Sequence, residues 1–256
     1  MIRAKKSLGQ NFLMHARIAE RIADAARLTP EDTALEIGPG TGMLTRALLA
    51  RAGKVVAIEA DGELYAELSA TFAVAIAAGR LTLVRGDIRD FSPGTLSRGY
   101  RLVANIPYYL TGEIFRMFLE SEIQPRSMTL LVQKEVAERI ARSRKESLLS
   151  LSVKAYGMPK YEFTVPRGAF RPAPNVDSAV LSVRDISRAN FATPEEERRF
   201  FALLRAGFAH KRKFLAKNLK EAGFFSFEIP EKARAEDFAL SDWLLLARHS
   251  RRAGEY

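Results

Sequence analysis

The sequence of 256 residues predicts an α/β fold: a mostly parallel sheet with an antiparallel edge, followed by a small α-helical C-terminal domain. Short apolar runs alternate with amphipathic helical stretches between residues 33 and 142, as in parallel sheets covered on both faces. From roughly Ser187 onward the pattern is helical. We therefore predict one domain over residues 1–187 and a second over residues 188–256.

The elements of the parallel part follow in order. His15 to Leu28 has apolar residues at helical spacing and ends in the turn that begins at Thr29. Apolar runs on both faces predict strands at residues 33–37, 54–59, 80–85, 101–105 and 128–133. The stretches between and after these runs predict helices at residues 41–52, 61–73, 111–120 and 134–142.

The remaining segments complete the sheet and the second domain. Strand-like stretches at residues 149–156, 161–165 and 178–184 have no long helix between them and predict the antiparallel edge. Beyond residue 187, we predict helices at residues 194–208 and 211–220, the second one basic, and short helical segments around residues 230–234 and 241–249.

Composition limits the kinds of partner and site. The formal net charge is +10, yet residues 31–100 hold seven basic and nine acidic side chains, so the basic excess lies on the flanks. Such flanks favour a polyanionic partner, with a basic surface kept for solubility as the alternative.

The absence of cysteine and the three scattered histidines argue against a metal site. The longest apolar run, Phe72 to Ala78, is too short to span a bilayer, and we expect a cytoplasmic protein without membrane partners.

A glycine loop follows the first predicted strand. In Glu36 to Gly42, three glycines allow the backbone to approach a ligand closely, and no Gly-Lys-Ser/Thr of a P-loop follows. Glu59 ends the next strand, where it can accept ribose hydroxyls, and Asp87 follows the third strand, where it can accept an adenine amine. Each feature alone is compatible with an ordinary turn or strand end. Because the carboxyl ends of parallel strands meet at one edge, the three together predict a bound adenosine.

The tetrapeptide Asn-Ile-Pro-Tyr follows the fourth strand. Asn105 offers a side-chain carbonyl, and Pro107 holds Ile106 extended so that the carbonyl of Ile106 can accept as well. Two acceptors can localise the lone pair of an exocyclic base amine and orient it toward the methyl of S-adenosylmethionine. Tyr108 can stack on the base, which must leave its helix or be single-stranded. A strand end followed by a turn, with Tyr108 in the core, is the alternative.

These motifs closely resemble those of the small-subunit (16S) ribosomal RNA adenine dimethyltransferases, over nearly the whole chain. The matching segments are residues 6–13, 36–42, 59, 86–87, 105–108, 132–139 and 168–178. The resemblance implies a Rossmann-like S-adenosylmethionine methyltransferase sheet, dimethylation of two adjacent adenosines near the 3′ end of the RNA, and S-adenosylhomocysteine as product. The implied partner is the small ribosomal subunit, and we expect a monomer.

The resemblance also implies roles for individual residues. Cofactor contacts are expected at Asn11, Leu13, Gly38, Gly40, Glu59, Asp87, Ile88 and Asn105. The catalytic set is Asn105, Ile106, Pro107, Tyr108 and Phe170, with Phe170 facing Tyr108 across the base. The candidate RNA contacts are Lys5, Lys6, Arg139, Arg142, Arg144, Lys145, Lys211, Arg212 and Lys213, for which a solvated surface is the alternative.

Two other functions remain open at this stage. The large-subunit rRNA methylases of macrolide resistance share the fold, the start of the chain and the tetrapeptide, whereas DNA adenine methylases usually carry proline at the position of Ile106. A mainly non-catalytic assembly factor that binds the ribosome is the alternative of another class. The intact cofactor motifs favour an active enzyme of the small-subunit type.

Overall fold

The structure is a computed structural model that describes residues 5, 8–225 and 228–252. Its backbone forms two compact units, and both are discontinuous in sequence. The first unit comprises residues 1–137 and 158–186, and the second comprises residues 138–157 and 187–256. The sequence placed residues 138–157 in the first domain, whereas they group here with the C-terminal helices.

The first unit is built on a seven-stranded sheet. Its strands are β2 (Thr33–Ile37), β3 (Lys54–Glu59), β4 (Leu81–Arg85), β5 (Arg101–Asn105), β6 (Ser127–Gln133), β7 (Met158–Val165) and β9 (Ser178–Arg184), and they are arranged in the order β4-β3-β2-β5-β6-β9-β7. β4 through β6 are parallel, while β9 runs antiparallel to both β6 and β7. The predicted parallel sheet with an antiparallel edge is thus confirmed.

Two further short strands form a separate antiparallel ribbon in this unit. β1 (Phe12–Leu13) pairs with β8 (Phe170–Arg171), so that Leu13 lies opposite Phe170. The backbone N–H of Met14 also donates to the carbonyl of Ala169 at 2.9 Å. The ribbon therefore ties the N-terminal segment to the loop that precedes β9.

The helices of the first unit connect the parallel strands. They are α1 (Ala16–Ala25), α2 (Met43–Leu49), α3 (Gly62–Thr71), α4 (Ala73–Ala77) and α5 (Thr111–Leu119), and α6 (Lys134–Ala141) begins in this unit. Most are shorter by a few residues than the sequence predicted, because the ends of apolar periodicity mark helix termini only loosely. Ile22, Leu48 and Ile114 have no solvent exposure, as expected for helices that cover a sheet.

The second unit is helical, with one small ribbon. It contains α7 (Leu148–Tyr156), α8 (Pro194–Gly207), α9 (Leu215–Glu221), α10 (Leu240–His249), β10 (Phe224–Phe225) and β11 (Arg251–Arg252). Aromatic rings form much of its core: Tyr156 stacks on Phe201 with ring centroids 5.5 Å apart, and Phe208 stacks on Trp243 at 5.6 Å. Thr193 caps α8 by accepting from the N–H of Glu196, which satisfies a free donor of the first turn.

The predictions for this unit differ from the structure in three places; one is the short helical segment predicted around residues 230–234, where the chain forms a turn instead. Residues 149–156 were expected as a strand because apolar residues alternate there, but they form α7, which starts with a capping box between Ser147 and Ser150. The basic stretch from Lys211 was expected as a helix, but Lys211 and Arg212 lie on a turn and α9 starts only at Leu215.

No helix within the described residues is long and apolar enough to cross a bilayer.

Two helical glycines allow a matched test of packing in the two units. A Cβ on Gly207 would lie 2.3 Å from the Trp243 ring, whereas a Cβ on Gly112 in α5 would meet no atom within 4 Å. We expect Gly207→Ala to lower the free energy of unfolding by about 1–3 kcal/mol, because the core would be overpacked. Gly112→Ala should leave it unchanged or raise it by up to about 1 kcal/mol. Urea unfolding of both variants measures the difference, and equal stability would contradict the packing described for Trp243.

Candidate active site

One cleft opens at the carboxyl edge of the parallel strands in the first unit. It encloses about 1110 Å³, its open mouth included, and its walls come from the ends of β2 to β5 and from the N-terminal segment. All eight residues expected to contact the cofactor line it, namely Asn11, Leu13, Gly38, Gly40, Glu59, Asp87, Ile88 and Asn105. The strand topology thus brings together residues that are up to 94 positions apart in the chain.

The glycine loop is held in place by Glu59. One carboxylate oxygen accepts from the N–H of Gly40 at 3.1 Å, and the other accepts from the N–H of Asp61 at 2.9 Å. Gly40 has φ +59°, and a Cβ there would come within 3.1 Å of the Phe12 ring, so the loop requires glycine. Since each carboxylate oxygen has a second lone pair, Glu59 can still accept from ribose hydroxyls.

Glu36, on β2, is a buried carboxylate to which the sequence assigned no role. It lines the cleft with only 1% of its surface exposed, and neither carboxylate oxygen has a hydrogen-bond partner among the described residues. Burial raises the pKa of Glu36 to about 8, the nearby hydroxyl of Thr45 opposes the shift, and the charge of Glu59 adds to it. A carboxyl group that holds its proton in the ligand-free protein can ionise when a cation lies beside it, and S-adenosylmethionine carries a sulfonium and an ammonium group.

Asp87 lies in the cleft as expected, but it is paired with Arg89. The guanidinium donates to Asp87 from Nε at 2.9 Å and from Nη2 at 2.5 Å. These hydrogen bonds lower the pKa of Asp87, so the carboxylate is ionised near neutral pH. An adenine amine can use the remaining lone pairs of this carboxylate. Arg89, which also lines the cleft, was missed because it follows the strand end by several residues.

Asp61 anchors the N-terminal segment beside the cleft. The ammonium of Lys5 donates to Oδ1 of Asp61 at 2.8 Å, and the amide of Gln10 donates to Oδ2 at 3.2 Å. Lys5 was expected to contact RNA, but here its charge is paired with that of Asp61. Lys6 lies outside the described residues. The position of Asp61, two residues after Glu59, was the only available sequence signal for this anchor.

Asn105 is oriented by the N-terminal segment. Its Nδ2 donates to the backbone carbonyl of Asn11 at 3.0 Å, so the donor half of the amide is occupied. The Oδ1 atom is left as the acceptor half, which is the group that amine chemistry requires. Ile106 and Pro107 line the same cleft.

The two aromatic residues of the predicted catalytic set lie outside the cofactor cleft. Tyr108 is half-buried, and its hydroxyl lies 2.6 Å from Oγ of Ser178. Phe170 is only 5% exposed and packs in the core with Leu13 and Val180. Neither residue lines the cofactor cleft, and no ring contact joins them among the described residues. A base placed between them therefore requires a change in the packing of Phe170.

The basic residues predicted to contact RNA differ in whether a carboxylate lies beside them. Lys145 lies 2.5 Å from Glu236, and Lys213 lies 2.8 Å from Glu221. Arg139 and Arg142 also have interaction partners. Arg144, Lys211 and Arg212 are exposed. Lys211 and Arg212 are adjacent on one turn of the second unit.

Comparison with known proteins places this site in a family. The family model described as "Ribosomal RNA adenine dimethylase" matches residues 1–249. The chain belongs to the ribosomal RNA adenine dimethylase family. It is an S-adenosylmethionine-dependent methyltransferase.

Curated relatives and solved structures agree with this assignment. Proteins named "Ribosomal RNA small subunit methyltransferase A" are 39% identical in Dehalococcoides mccartyi (strain 195), covering 96% of this chain and 88% of the relative, and 42% identical in Moorella thermoacetica, covering 89% and 82%. A Plasmodium falciparum dimethyladenosine transferase superposes with TM-score 0.77 at 25% identity, covering 92% and 95% of the two chains. The 23S rRNA methyltransferase ErmE gives TM-score 0.76 at 25% identity, covering 93% and 98%. The predicted family and Rossmann-like fold are confirmed.

The buried Glu36 predicts a specific pH dependence of stability. Its ordinary pKa is 4.5 and its pKa in the folded protein is about 8, so the folded state binds the proton more tightly than the unfolded state. The free energy of unfolding should therefore fall as pH rises from about 4.5 to about 8. Glu36→Gln should remove this contribution and stabilise the ligand-free protein by on the order of 3 kcal/mol near neutral pH.

Denaturant unfolding across that pH range measures the effect. Glu67→Gln, at an exposed position on α3, controls for the replacement of a glutamate by glutamine. Identical pH dependence in the wild type and Glu36→Gln would show that Glu36 does not hold a proton in the folded protein.

Proposed function

We propose that this chain dimethylates the exocyclic amines of two adjacent adenosines near the 3′ end of small-subunit rRNA. The observation that carries the proposal is the position of Asn105, which ends β5 in the same cleft as the acidic residues suited to the cofactor. The names of the curated relatives favour the small subunit over the large one. Since one chain supplies the whole cleft, we propose that it acts as a monomer, in the cytoplasm with the ribosomal subunit.

The residues of the cleft fit S-adenosylmethionine. Glu59 ends β3 and Asp87 follows the end of β4 by two residues, at the edge where the ribose hydroxyls and the adenine amine of a nucleoside can be bound. The buried Glu36 is protonated near neutral pH in the ligand-free protein, and it can ionise beside the cationic methionine portion and then supply negative charge. When bound, the cofactor supplies an electrophilic methyl group on its sulfonium.

The tetrapeptide would act on the target amine by orientation. We propose that Oδ1 of Asn105 and the carbonyl of Ile106 each accept one hydrogen of the amine, which pulls the nitrogen toward sp³ geometry. The lone pair is then aimed at the methyl group, and positioning supplies most of the rate enhancement. The bond from Asn105 to the Asn11 carbonyl supports this role, since rotation of the amide would break it.

Stacking would hold the base itself. We propose that Tyr108 provides one face and that Phe170 provides the other once the base has entered. Because Phe170 is 5% exposed in the structure, base binding must displace part of its packing against the core. This displacement would make entry of a flipped base slower than binding to a preformed slot.

The proposed function is tested by transfer of labelled methyl groups. Purified protein and S-adenosylmethionine are incubated with small subunits that lack the two dimethyladenosines, and the modified bases are mapped. We expect about four methyl groups for each subunit, because two adenosines each accept two. Transfer to large-subunit RNA instead would favour the macrolide-resistance alternative. Binding to small subunits without any transfer would favour the assembly factor.

Asn105→Ala tests the role of the tetrapeptide. We expect methyl transfer to fall by at least about 100-fold, because one acceptor and its orientation are lost. Binding of S-adenosylhomocysteine, measured by calorimetry, should weaken much less. Asn218→Ala removes a buried asparagine amide in the second unit and serves as the control for the loss of such a group. Full activity of Asn105→Ala would show that Asn105 has no catalytic role.

The exposed turn of the second unit tests RNA binding. We expect Lys211→Ala combined with Arg212→Ala to weaken binding to small subunits and to lower the salt-dependence slope by roughly one per lost phosphate contact. Lys54→Ala combined with Arg98→Ala removes the same charge from exposed positions of the first unit. If both double variants behave alike, Lys211 and Arg212 act only through net charge.

A further inference from the structure

The hydroxyl of Tyr108 is held by a residue from a distant strand. Its oxygen lies 2.6 Å from Oγ of Ser178, the first residue of β9, and Ser178 has no solvent exposure. In the sheet, Ser178 lies opposite Gln133, the last residue of β6. The Tyr108 side chain therefore reaches from the end of β5 across the end of β6 to β9. This contact fixes the position of the hydroxyl and with it the direction of the long axis of the ring.

The preceding residue, Asp177, holds the segment that leads to Phe170. Its carboxylate Oδ1 accepts from the backbone N–H of Arg167 at 2.9 Å, at the first residue of the short 3₁₀ turn Arg167–Ala169. Its backbone carbonyl accepts from the N–H of Lys134 at 3.0 Å, where α6 begins. Asp177 thus ties the turn before Phe170 to the end of β6.

Adjacent residues therefore hold both proposed stacking partners. Ser178 binds the Tyr108 side chain directly, and Asp177 fixes the backbone three residues before Phe170. The other end of the same turn is held by Met14, the residue after β1, whose backbone N–H donates to the carbonyl of Ala169. Both anchors lie just before Phe170 in the chain, so the turn that leads into Phe170 is fixed at both ends.

We propose that Asp177 and Ser178 are positioning residues that set the geometry of the base-stacking slot, and that this geometry controls the second methylation. The inference rests on the proposed function. In each transfer the amine nitrogen bonds to the methyl carbon, the carbon–sulfur bond breaks to leave S-adenosylhomocysteine, and the nitrogen releases one proton to solvent. After the first transfer the amine therefore keeps only one hydrogen, and one of the two acceptors, Asn105 or Ile106, loses its partner. Orientation of the base then depends more on stacking against Tyr108 than it did in the first step.

The test separates the two methylation steps. Small subunits are incubated with the wild type and with Ser178→Ala, and monomethyl- and dimethyladenosine are measured over time by mass spectrometry. We expect the second step to slow relative to the first by about three- to tenfold, the size of one lost hydrogen bond. Tyr108→Phe removes the same bond from the other side, and the double variant should show no further change in the ratio.

A matched control removes a similar bond elsewhere. Tyr161 and Thr164 in β7 also have hydroxyl oxygens 2.6 Å apart, and Thr164→Ala breaks that contact. This variant should leave the ratio of products unchanged. An unchanged ratio in both Ser178→Ala and Tyr108→Phe would overturn the inference, even if total activity fell, because loss of stability alone slows both steps together.

The anchoring by Asp177 has a readout that does not require methyl transfer. Asp177→Ala should speed hydrogen exchange in a peptide covering residues 166–171, whereas Asp177→Asn keeps an acceptor oxygen and should restore much of the protection. Equal exchange in the wild type and Asp177→Ala would overturn this part of the inference. Wild-type protein that methylates no small subunits would contradict the proposed function instead, and the exchange measurement would still test the anchoring.

Discussion

The hydrogen bond from the Asn105 amide to the Asn11 carbonyl is the contact on which the site depends. It joins the end of β5 to the N-terminal segment, and it decides which heteroatom of the amide is available in the cleft. The same segment is fixed at one side by Asp61, through Lys5 and Gln10, and at the other by the ribbon of β1 and β8. Cofactor pocket, acceptor oxygen and the loop of Phe170 are therefore parts of one connected arrangement.

Electrostatics in the cleft follow from how each carboxylate is paired. Asp87 and Asp61 have cationic partners, whereas Glu36 has none among the described residues and is buried at 1% exposure. A buried carboxylate without a partner is costly unless it is protonated or meets a cation. The cleft thus combines one charge-paired acceptor for a nucleoside, Asp87, with Glu36, whose ionised form is favoured by a cationic ligand.

Most of the parallel strands and the cofactor residues at their ends could be predicted from the sequence, because both depend on local sequence patterns. Buried parallel strands are apolar on both faces, so β2, β3 and β5 were predicted with their observed bounds. The strand topology then gathers the groups at the strand ends in one cleft. Because the strands run parallel, residues that follow different strands in the chain lie together at one edge of the sheet.

The features that the sequence did not predict depend on tertiary contacts between distant segments. The alternation in α7 resembles a strand, but Ser150 is buried as part of a capping box rather than exposed on a sheet face. The pairing of Lys5 with Asp61 and the burial of Phe170 depend on contacts between distant segments, which charge and spacing do not report. The same holds for the bond between Tyr108 and Ser178, residues 70 positions apart.

The most direct measurement is a high-resolution crystal structure of the chain with S-adenosylhomocysteine bound. We expect Nδ2 of Asn105 to remain on the Asn11 carbonyl, while Oδ1 faces the space beside the sulfur where a target amine would lie. An amide in the opposite orientation, with Nδ2 facing that space and Asn11 bonded elsewhere, would contradict this expectation.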